Sequence, residues 1–229
     1  MIMLVNNPHN PQLIPDLYRD PPSDEDRLIR MHSELSHGFK EMHPVQRALS
    51  FFGSAKTPVG HPEYQNSLDL AKYLGEEGWT IITGGGPGIM EAANKGAQES
   101  GALSVGLNID LASEPDPNPY QDISLNFHYF FARKVMFVRY SSAFIAAPGG
   151  FGTMDEIFEA LTLVQTKRVG KFPVVLFGTE FWGGLVEWMQ EQMLASGKAS
   201  ASDLQIMVSD DYEEIARHLA THRLRPARI

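Results

Sequence analysis

The stretch Pro148-Gly149-Gly150-Phe151-Gly152-Thr153-Met154-Asp155-Glu156 sets three glycines just ahead of a carboxylate that opens a helical pattern. Apolar Ala143 to Ala147 precede it, a run short enough for a buried parallel strand, and Ile157, Leu161 and Val164 follow at helical spacing. A strand, a glycine turn and a helix leave the first helical amides unpaired and let backbone approach a ligand with no Cβ in the way. Such a corner favours an anion by roughly 0.3 to 2 kcal/mol through the helix dipole. Glu156 admits two readings. With Thr153 it forms T-x-x-E, a capping box that contributes ~1 kcal/mol and needs no ligand. Alternatively its carboxylate serves whatever sits at the corner, since three glycines are more than a plain helix start requires. Asp155 and Glu159 read as decoration of the acidic end of the helix. Asp155 stands about 100° around the helix from Glu156, so the two do not converge as a glycosidase-type acid pair.

Two more strand-to-loop switches could face the same ligand. Ala48 to Phe52 reads as a buried strand ending in Gly53-Ser54-Ala55, which on its own reads as an ordinary turn and only beside the later motifs as a ligand-facing switch. Trp79 to Thr83 runs into Gly84-Gly85-Gly86-Pro87-Gly88-Ile89-Met90-Glu91 and then a helical run, Ala92 to Ala97. This second corner is not the dinucleotide fingerprint, because Ile89 or Glu91 falls where the third glycine belongs, and the P-loop ending is absent. Arg133 and Lys134 fall near the start of a helix expected over Ala132 to Tyr140, where the dipole disfavours cations. Something negative must compensate them: an acidic side chain, a bound phosphate, or Glu156 itself. No histidine pair has metal-ligand spacing within one helix or turn of this core, and His128 reads as packing or support. No Gly-x-Ser-x-Gly elbow is present.

The elements that would position these residues alternate. After a Pro- and Asn-rich arm over residues 6 to 22, Ser23 and Asp26 cap a helix with Leu28, Met31, Leu35, Phe39 and Met42 on one face. That stripe should dock on the domain or on a second subunit, with a functional lid as the minority reading. A helix follows His61-Pro62 with Tyr64, Leu68 and Ala71 on one face. Strands are expected at Leu103 to Leu107, Ile123 to Phe131, Pro173 to Phe177 and Leu204 to Val208. The Pro-rich segment Glu114 to Pro119 reads as a loop that either rims a pocket or, more commonly, just connects elements. Helices are expected at Phe181 to Leu194, with Trp182, Leu185, Trp188 and Met189 as core, and at Tyr212 to Leu219 behind Asp210 and Asp211. Strand and helix in alternation predict an α/β fold with a mainly parallel sheet covered on both faces.

Composition narrows the function. With 229 residues and 43% apolar content the chain can bury one sizeable core. Its 28 acidic against 19 basic residues, a formal charge of -9, argue against a broad nucleic-acid surface. The lack of cysteine excludes disulfides and thiol chemistry and fits the cytoplasm. Met1 to Val5 lacks a basic flank and a long apolar region, and no run approaches about 18 apolar residues, so no membrane association is expected.

Taken together, Gly84 to Met90, Arg133-Lys134 with Met136, and Pro148 to Thr153 with Glu156 resemble the LOG family, the cytokinin riboside 5'-monophosphate phosphoribohydrolases once labelled lysine decarboxylases. The likeness spans about residues 45 to 220. It implies a doubly wound, Rossmann-like catalytic domain over 45–229, preceded by the arm and amphipathic helix of 1–44. It also implies a homodimer and a nucleoside 5'-monophosphate partner, cleaved to free base and ribose 5-phosphate. Arg133 and Glu156 then take the catalytic positions. Lys134, Pro148, Gly149, Gly150, Gly152, Thr153, Gly85, Gly86, Met90 and Thr162 take nucleotide-binding ones, beside Gly53 and Ser54. Glu91 stands where many cytokinin-type members have Gly, so the base is left open, as are a salvage nucleosidase and a non-catalytic nucleotide carrier. No cofactor or metal is implied. Decarboxylation would need a Schiff-base lysine and pyridoxal phosphate, and the surroundings of Lys134 suit a phosphate better.

Overall fold

A computed structural model describes residues 23–110, 116–169, 172–202 and 206–221. The arm expected over residues 6 to 22 lies outside them, as do Glu114, Pro115 and the start of the strand expected from Leu204. Among the described residues seven strands form one sheet: β1 (Ala48–Phe52), β2 (Thr80–Thr83), β3 (Ser104–Ile109), β4 (Ile123–Phe127), β5 (Ser141–Ala146), β6 (Val174–Leu176) and β7 (Ile206–Val208). Their order is β4-β3-β2-β1-β5-β6-β7 and every pairing is parallel. The fold is therefore the parallel α/β sheet that the alternation predicted, in the doubly wound, Rossmann-like arrangement that the resemblance implied. Chain direction across the sheet reverses between β1 and β5, which is where such folds open a crevice at their carboxyl ends.

The central strands are buried on both faces, and their side chains alternate between two cores. Leu49, Phe51 and Ile145 pack beneath α2 (Pro62–Glu76), α3 (Ile89–Ser100) and α7 (Tyr212–Thr221). Phe52, Phe144 and Ala146 pack with α4 (Phe130–Tyr140), α5 (Phe151–Gln165) and α6 (Thr179–Trp188). Trp182 is fully buried there, its indole N–H donating to the carbonyls of Ala146 and Phe177 at 3.0 Å each.

Several expectations are revised. The strand expected to reach Phe131 ends at Phe127, and α4 begins at Phe130 with Tyr129 as its N-cap. The aromatic run favours strand locally, but Glu34 from α1 (Asp24–Glu41) accepts the Tyr129 amide at 3.2 Å and so helps to start the helix. Ser23 and Asp26 do form the capping box of α1. Its stripe docks only in part: Met42 is buried and Gly38 lies against Met136, while Leu28 and Phe39 remain exposed. Trp188 is exposed, not core. Trp182, Leu185 and Met189 share a narrow face, and Trp188 sits about 100° behind Met189, where α6 passes into a π-helical turn at Met189–Leu194.

Of the two readings of the Pro-rich loop the structure bears out the pocket rim, since Asp116 and Pro117 line a cavity, and the loop also holds the second glycine corner. Asn118 donates to the carbonyls of Gly85 and Gly86 and to Asn94 Oδ1. Buried Asn94 also accepts from Thr83 Oγ1 at 2.6 Å and donates to Ser104 Oγ at 2.8 Å. Replacing Asn94 with Ala strands several buried polar groups at once and should cost roughly 2 to 4 kcal/mol, read as a lower urea midpoint with unchanged m.

Candidate active site

Three strand ends meet at the switch point. The Ser54 amide donates to the Pro148 carbonyl at 2.9 Å, and the Ser54 carbonyl accepts from the Ile89 amide at 2.9 Å. Both neighbours of this knot must be glycine. A Cβ on Gly53 would lie 2.3 Å from Ile89 Cγ2, and Gly88, at φ 69°, would place one 2.3 Å from the Ser54 carbonyl. Between these ends lies a cavity of about 330 Å³. Its walls are Gly53, Ser54 and Lys56 after β1, Gly84 and Met90 around the second corner, Phe130, Arg133 and Phe137 from α4, and Gly150, Gly152, Thr153 and Glu156 from α5.

The capping-box reading of Thr153 and Glu156 is corrected here. Gly150 is the N-cap of α5, no side chain caps the helix, and the first helical bond runs from Met154 N–H to the Gly150 carbonyl. The helix thus starts earlier than T-x-x-E implies, which turns Thr153 and Glu156 inward and leaves the first amides for something else. Gly149 packs against Thr153, whose Oγ1 would be 2.1 Å from an added Cβ. Around Gly150 and Gly152 an added Cβ would meet nothing.

Glu156 is 5% exposed, and its Oε2 has no hydrogen-bond partner among the described residues. Burial pushes its carboxyl up to about 7, with Lys134 and then Arg133 pulling it back down and Glu159 and Asp155 adding to the rise. Arg133 reaches over Gly84, its Nη1 being 3.6 Å from where a Cβ there would stand, with its guanidinium 5.2 Å from the Phe130 ring centre. Lys134 turns the other way. Its ammonium lies 2.8 Å from Glu159 Oε2, 3.0 Å from Asp155 Oδ2 and 3.7 Å from Glu156 Oε1. Burial alone would lower its pKa, but the hydrogen bonds and charges of these carboxylates hold it above the ordinary lysine value.

The structure therefore gathers Arg133, Glu156, Gly53, Ser54, Met90, Gly150, Gly152 and Thr153 around one cavity. Gly85 and Gly86 line an adjoining cavity of about 390 Å³, which shares Gly84 and Ile109 with the first and is walled by Arg30 and Glu34 of α1, by His128, and by Asp116 and Pro117. Lys134, Pro148, Gly149 and Thr162 line neither. Pro148 serves through its carbonyl, and exposed Thr162 donates back to the Phe158 carbonyl at 2.7 Å. Asp155 and Glu159 are ion-pair partners of Lys134, not decoration. Sequence reading overlooked Lys56 and Phe130. Phe130 stands three residues before Arg133 and shares its face only once α4 is begun at the right place. Among the described residues no cluster of His, Asp and Glu has metal-holding geometry, and no helix is long and apolar enough to cross a membrane.

Residues 90–219 match a family model described as "possible lysine decarboxylase". An uncharacterized protein of Archaeoglobus fulgidus is 37% identical over 118 residues, covering 50% of this chain and 75% of that protein. A probable cytokinin riboside 5'-monophosphate phosphoribohydrolase of rice, LOGL3, is 29% identical over 62% of this chain and 68% of its own. The pyrimidine/purine nucleotide 5'-monophosphate nucleosidase of Escherichia coli K12 is 26% identical over 70% of this chain but only 38% of its own length. Among solved structures, the molybdenum cofactor carrier protein of Chlamydomonas reinhardtii shares the fold, with TM-score 0.58 and 23% identity over 77% of this chain and 99% of that one.

The site yields two stability predictions. Gly152 is inside a helix and open to space, so Gly152→Ala should stabilise by roughly 0.5 to 1 kcal/mol, whereas Gly149→Ala, which collides with Thr153, should destabilise by roughly 1 to 3 kcal/mol. Thermal melts of the two variants compare them directly. Folded Glu156 keeps its proton to about pH 7, against an ordinary 4.5 in the unfolded chain. The folded state thus binds the extra proton between those values, and stability falls as pH rises through that window, by on the order of 3 kcal/mol at full ionisation. Urea unfolding at pH 5 and pH 8 should show this fall in the parent protein and a smaller one in Glu156→Gln.

Proposed function

The chain belongs to the LOG family, and from that premise we propose that it hydrolyses the N-glycosidic bond of a nucleoside 5'-monophosphate to free base and ribose 5-phosphate. One observation carries the reading: Glu156 is a buried carboxylate in the cavity wall, and its Oε2 makes no hydrogen bond among the described residues. Lys134 and Arg133 offset only part of the cost of a charge so placed, and a further positive group brought to Oε2 would offset more of it. The ribose of a breaking N-glycosidic bond is such a group.

In this reading the 5'-phosphate sits on the free amides of Phe151, Gly152 and Thr153, where the α5 dipole favours it and Gly150 and Gly152 leave it room. Lys56 and Arg133 border the same space. Phosphate binding then holds the sugar over Glu156 with energy drawn from outside the reacting bond. As the C1'–N bond breaks, positive charge grows on the sugar, and the carboxylate stabilises it while orienting a water molecule toward C1'. The water oxygen bonds to C1'. Of its protons, one stays on the new hydroxyl and the equivalent of the other ends on the departing base nitrogen. Arg133 stays charged throughout and acts as an electrostatic clamp.

The nucleosidase relative favours ordinary purine and pyrimidine monophosphates as a second choice of substrate within the same chemistry. The homodimer expected from the resemblance would cover Phe151, which is 95% exposed beside the cavity. Incubation with AMP, GMP, CMP, UMP and N6-isopentenyl-AMP, followed by chromatography for free base, tests the reaction and ranks the bases. Glu156→Gln should lower kcat by ~100-fold or more while nucleotide binding persists. Native turnover by that variant would refute the role of Glu156. Tight binding of all five nucleotides with no base released by the parent protein would favour a carrier.

A further inference from the structure

Adjacent on α4, Arg133 and Lys134 face different partners: Arg133 lines the cavity, and Lys134, about 100° further round, meets α5 from behind it. Two of its three carboxylate contacts, to Glu159 at 2.8 Å and Asp155 at 3.0 Å, are short and hold the ammonium in place. The third, to Glu156 at 3.7 Å, is too long for a hydrogen bond yet well inside Coulombic range. Lys134 therefore acts on Glu156 as a charge without occupying its oxygens, and Oε2 stays available to the cavity. With only 16% of its side chain exposed, Lys134 has little freedom to turn toward a nucleotide.

We propose that Lys134 is a positioning residue: a fixed positive charge behind Glu156, anchored by Asp155 and Glu159, and not a ligand of the nucleotide. This rests on the reading of Glu156 as the reacting carboxylate. The charged groups around Glu156 are Arg133 and Lys134 from α4, Asp155 and Glu159 on its own helix, and Lys56 across the cavity. Burial keeps the carboxyl protonated to about pH 7, and the two α4 cations oppose it. Removing Lys134 should thus delay ionisation. Removing Glu159 should advance it, because one repelling charge goes while Asp155 at 3.0 Å still holds the ammonium behind Glu156.

The test is kcat/KM against pH with AMP, for the parent protein, Lys134→Met, Lys134→Arg and Glu159→Gln. Lys134→Met should move the rising limb up by about one pH unit or more, losing ~10-fold at pH 7 and regaining it near pH 9. Lys134→Arg should restore the parent profile, Glu159→Gln should move the limb down, and inhibition by ribose 5-phosphate should be unchanged in all three. An unmoved limb together with a raised KM for AMP and weaker ribose 5-phosphate inhibition would make Lys134 a phosphate ligand and overturn the proposal. If Lys134→Met does not fold, an unmoved limb in Glu159→Gln overturns it alone. The same ionisation can be followed without turnover through the 13C shift of the Glu156 carboxyl. Lack of AMP hydrolysis would then count against the functional reading, while opposite shifts in the two variants would still support the positioning role.

Discussion

The candidate site depends on the backbone of one residue. Ser54 is bonded through its amide to the turn after β5 and through its carbonyl to the start of α3, so three segments that arrive from distant parts of the chain are tied together. Neither bond specifies a side chain. What the sequence must supply is the absence of side chains beside them, and Gly53 and Gly88 do so where any Cβ would strike Ile89 or the Ser54 carbonyl. Parallel pairing with a reversal between β1 and β5 creates the gap, and this knot fixes its width.

Into that gap the fold places an acid that it has every physical reason to exclude. Glu156 lies beside Phe52, Phe130 and Phe137 in the cavity wall, and its raised pKa measures the conflict. The surrounding charges reduce the conflict without removing it. Arg133 comes from the cavity side and Lys134 from behind, and both depend on how α4 is set. That setting reaches back to α1, through the Glu34 contact with the Tyr129 amide and the close passage of Gly38 over Met136. A helix distant in sequence from the glycine motif thus steadies the residues that face it.

Much of this could be read in the chain itself. The glycine corners, the alternation of strand and helix and the Arg-Lys pair are local patterns, and they led to the observed sheet and to most of the residues that line the cavity at its switch point. The failures share a cause. T-x-x-E looks like a cap wherever it stands, and only the backbone at Gly150 shows that the helix has already begun. The aromatics of 127 to 131 favour a strand until α1 is laid against them. Lys134 is one position from Arg133, so nothing in their order tells which turns toward the cavity and which toward α5. Lys56 carries no motif and becomes visible only when β1 and α5 are brought together.

Because every strand pairs in parallel, all seven carboxyl ends emerge on one rim and all the amino ends on the other. The turns that enter the strands, such as Glu77 to Trp79 before β2 and Gly101 to Leu103 before β3, lie a full strand's length from Glu156. An insertion or a tether placed at those turns would therefore leave the cavity walls and Glu156 untouched.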